Sequence, residues 1–154
     1  MRCEDWKLPY LAGIIDGEGC IYVRVGKIGG RRRTRQYQIV LTITNTSKKL
    51  AMWLKNEFDC GNVNVFPREG NRRPAWLAHW STQCAANILR RVLSYLVIKK
   101  NQAKLAIKLA DRLKNTKILG GVGKCVDHKE ISAREAIRQR MKAFNVRGKI
   151  HAQA

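Results

Sequence analysis

Two carboxylates, two positions apart, end a short apolar run near the start of the chain. The run is Leu11-Ala12-Gly13-Ile14-Ile15-Asp16-Gly17-Glu18, and it occurs once in the 154 residues. Because the last turn of a helix is electrostatically negative, two acids placed there need either solvent or a cation to offset the repulsion. Their oxygens suit a hard divalent metal, and a metal beside a polyanion suits nuclease chemistry.

The balance of charged residues indicates which kind of molecule the protein binds. Lys and Arg number 31 against 11 Asp and Glu, a formal charge of +20, and that excess predicts a nucleic acid as the usual partner. No apolar run approaches the roughly 18 residues of a membrane span. The first residues lack the layout of a signal peptide. We therefore expect no membrane partner and an intracellular protein that is not secreted, in an organelle or a prokaryotic cytoplasm.

The cysteines and histidines indicate no second metal site. Five cysteines form no C-x-x-C pair, and three histidines are widely spaced, which argues against a zinc finger and a histidine-metal nuclease motif. The pattern predicts reduced, scattered thiols.

The elements that must position the two acids can be read from periodicity. A helix capped by Asp5 runs to about Asp16, and period-two alternation predicts strands at 20–25 and 36–44. Ser47 caps a second helix ending near 59. Further strands are predicted at 62–67 and 75–81, and further helices after Thr82, at 99–113 and at 129–144. The order helix, hairpin, helix, hairpin, helices predicts an α+β fold with one antiparallel sheet.

The domain organisation follows from the same pattern. We predict one domain over residues 1–154, with a core at about 6–113 and a C-terminal helical extension at about 114–154. Since the acidic motif is not duplicated, chemistry that needs two such sites would require two chains. The sequence thus predicts a symmetric homodimer.

The acidic run resembles the motif of the LAGLIDADG homing endonucleases. The element order, the basic turns and the segment Lys99-Lys100-Asn101-Gln102-Ala103 also resemble the single-motif members, over about residues 6–113. The resemblance implies an αββαββα core whose antiparallel sheet forms a DNA-binding saddle. It also implies in-line, double-strand hydrolysis of a long, pseudo-palindromic DNA target, and an origin within an intron.

The resemblance also implies roles for individual residues. Glu18 and the Gly17 carbonyl would bind Mg²⁺ (or Mn²⁺), and Lys99 would lie near the scissile phosphate. The register places Ser47, with Asn45 nearby, where close relatives have a glutamine that positions water. The motif helices of two subunits would cross at an interface containing Leu11, Ala12, Gly13 and Asp16. For Asp16, bonds to nearby backbone are favoured over metal binding.

Under this resemblance the polar faces of the hairpins become a surface that reads the major groove. The candidates for contact with bases are Tyr22, Arg24, Gln36, Gln38, Thr42, Thr44, Arg68 and His79. The loop arginines are expected to contact phosphates, which adds affinity without sequence information; these are Arg31, Arg32, Arg33, Arg35, Arg72 and Arg73. Trp53, Trp76 and Trp80 are expected to pack in the core.

An RNA-binding protein is the alternative, either ribosomal in style or an intron maturase that has lost cleavage. The charge and the basic loops fit it equally well, and intron RNA remains a possible partner. Glu18 and Lys99 discriminate, because an RNA binder has no electrostatic reason to keep an acid at a helix end that faces a polyanion.

Overall fold

A computed structural model describes residues 6–26, 35–58, 60–68, 70, 73–116 and 126–146. Within these residues the predicted α+β class and element order are confirmed. The elements are α1 (Lys7–Glu18), β1 (Gly19–Gly26), β2 (Gln36–Asn45), α2 (Lys48–Glu57), β3 (Asn62–Phe66), β4 (Ala75–Ser81), α3 (Thr82–Val92), α4 (Lys100–Asn115) and α5 (His128–Asn145). No helix in these ranges is long and apolar enough to cross a membrane.

The four strands form one antiparallel sheet in the order β1-β2-β4-β3. The two hairpins therefore meet along β2 and β4 at the centre of the sheet. The inward residues predicted for β2, Tyr37, Ile39, Leu41 and Ile43, are all buried. Burial does not alternate along the whole strand, because Val40 and Thr42 of the predicted polar face are buried as well. Helices α1, α3 and α4 cover this inner face and close the core with residues such as Leu89 and Leu109, both 0% exposed.

Helix α5 belongs to the same core. Ile137 and Met141 are buried in it, and the Asn145 Nδ2 donates to the Ile21 carbonyl of the edge strand β1 at 2.8 Å. The Tyr37 hydroxyl donates to the Glu135 carboxylate at 2.8 Å. The predicted C-terminal extension thus packs against the sheet at its edge strand β1. This packing protects the edge from pairing with strands of other molecules.

The helix ends refine the predicted boundaries. Helix α1 continues through Glu18, two residues beyond the predicted end, so both acids lie in its last turn. Its N-cap residue is Trp6, and the predicted cap Asp5 lies outside the described residues. Helix α2 begins as predicted, with the Ser47 hydroxyl accepting the Leu50 N–H at 3.3 Å.

The prediction that all thiols are reduced is wrong for one pair. Cys60 and Cys84 are joined as a disulfide, with Cα atoms 6.0 Å apart. Cys60 precedes β3 and Cys84 lies in the first turn of α3, so the tertiary fold brings together residues 24 apart in sequence. Cys20 is free and exposed; the remaining two cysteines, Cys3 and Cys125, lie outside the described residues.

Candidate active site and nucleic-acid interface

The Glu18 carboxylate is exposed at the C-terminal end of α1, where the chain turns directly into β1. Gly19 makes this turn possible. A Cβ at Gly19 would lie 2.6 Å from the Ile15 carbonyl oxygen and 2.9 Å from the Ile15 Cα, distances that are too short for a side chain. The tight turn keeps Glu18 next to the sheet.

Asn45, at the end of β2, orients the Glu18 carboxylate. Its Nδ2 donates to the Glu18 Oε2 at 2.9 Å, while its own Oδ1 accepts the Ser47 N–H at 2.8 Å. The second bond fixes the amide with its donor toward the acid. Of the two residues predicted to position water, Asn45 is therefore the one that reaches Glu18, whereas the Ser47 hydroxyl caps α2.

Asp16 does not point into open solvent at the end of α1. Its carboxylate accepts backbone N–H groups from Val97 at 2.7 Å, Ile98 at 3.2 Å and Lys99 at 2.9 Å. Helix α4 lacks a side-chain cap of its own, so Asp16 binds the backbone that leads into it from another helix. The predicted backbone bonds are confirmed and lie within one chain, while the place of Asp16 at a subunit interface stays a prediction.

Lys99 makes the reverse contact, from the start of α4 to the end of α1. Its Nζ donates to the Ile15 carbonyl at 2.9 Å and to the Asp16 carbonyl in a shorter contact. A cation therefore lies at the negative end of α1 and an anion near the positive end of α4, and each charge complements a helix dipole. We call these contacts of Asp16 and Lys99 the helix-end clamp. It fixes the α1 terminus that carries Gly17 and Glu18.

The protonation state of Asp16 reflects the clamp. Burial raises the pKa of the Asp16 carboxyl, but the hydrogen bonds from Val97, Lys99 and Ile98 lower it more, so the pKa lies below its usual value. The carboxylate is therefore charged at neutral pH. The negative charge strengthens the hydrogen bonds that the three backbone N–H groups donate to the carboxylate.

The donor set at the end of α1 fits a hard divalent cation only in part. Within the described residues no group of three His, Cys, Asp or Glu side chains could hold a metal. Glu18 supplies one carboxylate, and Asn45 bonds only its Oε2. Lys99 donates to the carbonyls of Ile15 and Asp16. In the described part of the chain no side chain donates to the Gly17 carbonyl, which leaves that oxygen available as a ligand. One chain thus offers two oxygen ligands, fewer than such cations take from a complete site.

A shallow cavity of about 180 Å³ opens beside Glu18. Arg68 and Asn45 line it together with Thr44, Thr46 and Ala75. A carboxylate, an amide and a guanidinium therefore meet at one concave point on the rim of the sheet. Arg68 was predicted as a contact with bases, and its place here also suits contact with a phosphate.

The strand register places the predicted base contacts on one face of the sheet. Arg24 pairs with Gln38, and Thr42 lies between Cys20 and His79 in a row that crosses three strands. Thr42 is only 9% exposed, because its neighbours shield it. The remaining candidates that share this outer face are Tyr22, Gln36 and Thr44.

Two polar residues on this face were missed. Asn62 pairs with His79 and Asn64 pairs with Leu77, so both side chains follow the outer face of β3, and both are exposed. The alternation of 62–66 contains this signal.

The predicted phosphate contacts divide into two groups. Arg31, Arg32, Arg33 and Arg72 lie outside the described residues. Arg35 and Arg73 are exposed, and Arg35 lies 4.0 Å from Glu135 of α5. This long, exposed ion pair leaves Arg35 available to a phosphate.

The predicted subunit-interface residues are corrected in part. Leu11 and Ala12 are 1% and 0% exposed and pack in the core of the chain itself, so they cannot contact another subunit. Gly13 and Gly17 lie on the other side of α1, where an added Cβ would meet nothing within 4 Å. Trp6 and Tyr10 extend the same stripe and are about half exposed, at 54% and 50%.

Comparisons with known proteins agree with this architecture. No family model matches the chain. It is 26% identical over 116 residues to the DNA endonuclease I-CvuI of Chlorella vulgaris, which covers 74% of this chain and 70% of the relative. A structure of I-CvuI in complex with a DNA target in the presence of Mg, with the DNA not cleaved, has a TM-score of 0.74 at 22% identity and covers 96% of this chain and 86% of that one.

Two further structures share the fold. The archaeal intron-encoded homing endonuclease I-Vdi141I, complexed with DNA, has a TM-score of 0.72 at 18% identity over 94% of this chain and 87% of that one. The LAGLIDADG homing endonuclease I-GzeII, in complex with its DNA target, has a TM-score of 0.67 at 19% identity over 87% of this chain but only 44% of its own. The chain is thus similar in sequence to one DNA endonuclease, and it shares its fold with homing endonucleases whose structures contain DNA.

Proposed function

We propose that the chain is a site-specific, metal-dependent homing endonuclease that cuts both strands of duplex DNA as a homodimer. The observation that carries the proposal is the exposed Glu18 carboxylate, held by Asn45 at the end of α1 beside a polar sheet face. That I-CvuI, the 26% identical relative, is a DNA endonuclease supports it. The expected target is long and pseudo-palindromic, as a two-fold symmetric dimer would require.

Glu18 and the Gly17 carbonyl are the groups that would hold Mg²⁺ (or Mn²⁺). When bound, such an ion supplies Lewis-acid stabilisation of phosphate oxygens and a more acidic water. The chain's own contribution is to hold the ligands still. Asn45 bonds one oxygen of Glu18 and leaves the other for the ion, and the helix-end clamp fixes the backbone of Gly17.

Asn45 and Lys99 have further roles in this proposal. The Asn45 amide lines the cavity beside Glu18 and would orient a water bound there. The Lys99 ammonium has three N–H groups, of which two bind carbonyls of α1. Its positive charge is held at the end of α1, the helix that ends in Glu18, and would stabilise the negative charge that develops during phosphodiester hydrolysis.

The homodimer is supported by a partly open face on α1. Gly13 and Gly17 lack side chains there, and Trp6 and Tyr10 of the same stripe stay about half exposed although they pack against Trp53 of α2. Val97 and Ile98 are 83% and 73% exposed next to the same helix end. Small residues let two helices approach closely, and exposed apolar side chains favour association.

A second copy of this chain is the proposed occupant of that face. The active unit needs a second acidic motif, and the sequence contains this motif once. The chain covers less than half of I-GzeII but 86% of I-CvuI. Longer homologous folds therefore have room for a second unit, which a short chain would obtain by pairing.

Light scattering tests the dimer. The unmodified protein should have the mass of two chains, and Gly13→Leu, which fills the open helix face, should shift it toward one chain. Ala136→Leu introduces the same side chain at an exposed position of α5 and should leave the mass unchanged. An unmodified protein with the mass of one chain that still cleaves DNA would contradict the two-chain site.

Sequencing of cut ends tests the enzyme. The protein is incubated with a randomised duplex DNA library in Mg²⁺ or in EDTA. Recurrent breaks in one sequence, in Mg²⁺ alone, are expected. If no breaks recur while the protein binds RNA tightly, the RNA-binding alternative becomes the better explanation.

A further inference from the structure

Helix α4 carries a row of lysines on its exposed side. Lys100, Lys104 and Lys108 follow one another at four-residue intervals, so they lie on successive turns of one face. Lys104 and Lys108 are exposed. We call these two residues the α4 lysine pair, because Lys100 begins the helix close to the clamp.

The α4 lysine pair faces away from the proposed DNA-reading surface. The opposite side of α4 is formed by Ala103, Ala106 and Ala110, which are completely buried in the core beneath the sheet. Since the helices cover the inner face of the sheet, the pair is separated from the outer face by the sheet and a helix about 10–12 Å in diameter. A duplex bound on the outer face would not reach it.

No acid compensates this pair. In the described part of the chain neither Lys104 nor Lys108 forms an ion pair, although acids lie nearby. Asp111 pairs with Arg90 of α3, and Glu130 binds Arg112 and Arg134. Like charges four residues apart on a helix repel each other, and an anionic partner would remove that penalty.

A cavity adjoins the pair. It measures about 680 Å³. Lys104, Lys108 and Arg112 line it together with the apolar side chains of Leu93 and Ile107. The carboxylates of Asp111 and Glu130 also line it, but each is paired with an arginine. Cations around a hollow with an apolar wall suit a sugar-phosphate backbone whose phosphates meet the ammonium groups while a base or sugar enters the hollow.

We propose that Lys104 and Lys108 form a second nucleic-acid surface that binds phosphates of a segment other than the one on the sheet. The protein would then hold two nucleic-acid segments on opposite sides. This goes beyond the proposed cleavage, which needs only the sheet face and the end of α1. DNA and RNA share the phosphate chemistry, and the experiment separates them.

The test compares Lys104→Gln/Lys108→Gln with Lys55→Gln/Lys142→Gln. The control removes the same charge from two exposed lysines on α2 and α5. Fluorescence anisotropy measures the affinity of each protein for a labelled RNA hairpin and for a DNA duplex of the same stem sequence, over a series of salt concentrations. Circular dichroism verifies that both variants fold.

Loss of two phosphate contacts should lower the slope of log Kd against log salt by about 1.4–1.8 for at least one of these nucleic acids. The control should change the slope much less. A change for the hairpin alone assigns the surface to RNA, a change for the duplex alone assigns it to DNA, and a change for both assigns it to the shared backbone. Equal slopes for the variant and its control with both nucleic acids would overturn the proposal.

A second measurement separates this surface from the sheet. Arg24→Gln weakens the sheet face, and its effect on log Kd should add to that of the lysine variant, because the two sites share no partner. Metal-dependent cleavage of the DNA library should survive in the lysine variant. Strong non-additivity would mean that both sets of residues contact one segment, which also contradicts the proposal.

Discussion

Replacing Asp16 by asparagine tests the helix-end clamp. The Asp16 Oδ2 accepts the N–H groups of Val97 and Ile98, and its Oδ1 accepts that of Lys99. An asparagine keeps one acceptor oxygen, so at least one N–H group would face an NH₂ group. The remaining bonds would lose the charge that strengthens them.

The magnitude follows from these three contacts. A hydrogen bond to a charged group contributes about 1.5–3 kcal/mol. Because Asp16 is only partly buried, water can replace some of the loss, and we expect a destabilisation of about 2 kcal/mol. For a chain of this size that corresponds to a fall in Tm of about 4–8 °C. Thermal unfolding followed by circular dichroism at neutral pH measures it.

The pH dependence gives the sign of the effect. The pKa of Asp16 is lower in the folded protein than its usual value, so its stabilisation is fully present above the unfolded pKa of about 3.9. It is lost as the pH falls through the folded pKa. The Tm values of the variant and the unmodified protein should therefore converge in acid.

Asp111→Asn is the matched control. Asp111 is exposed and pairs with Arg90 at the surface, so its loss should cost less than about 1 kcal/mol. A Tm for Asp16→Asn within about 1 °C of the unmodified protein at neutral pH would refute the clamp as a stabilising contact.

Two other substitutions test the packing around the site. Glu130 binds Arg112 and the buried Arg134. Although burial raises the pKa of Glu130, the bonds from these arginines lower it overall. Glu130→Gln should therefore cost about 3 kcal/mol at neutral pH. In urea unfolding this difference should shrink as the pH falls through the folded pKa, and a difference that stays constant down to low pH would contradict the ion-pair explanation. Gly61→Ala should destabilise by about 1–3 kcal/mol because its Cβ would lie 2.2 Å from the Trp80 Nε1; an unchanged urea midpoint would show that this contact is not tight.

The sequence predicted the parts of the fold that local periodicity controls. Strand β4 was predicted at its observed bounds, and the alternation of β2 gave the correct inward residues. Ser47 was recognised as a helix cap because its bond to Leu50 spans three residues. Such features depend on neighbours within a few positions.

Contacts between distant residues could not be read in the same way. Asp16 and Lys99 are 83 positions apart, and nothing local shows that each binds the backbone of the other's helix end. Leu11 and Ala12 belong to the motif, yet only the packing of α1 against the sheet decides that they face inward. The disulfide between Cys60 and Cys84 likewise depends on where the chain places α3.

The most direct test of the account is cleavage by Glu18→Gln. The recovered target duplex would be incubated with this variant, with Asp111→Asn as the control and with the unmodified protein, each in Mg²⁺, while anisotropy measures binding to the same duplex. We expect Glu18→Gln to bind with nearly unchanged affinity and to lose cleavage, and the control to cut normally. Normal cutting by Glu18→Gln would contradict the role of Glu18 as the metal ligand.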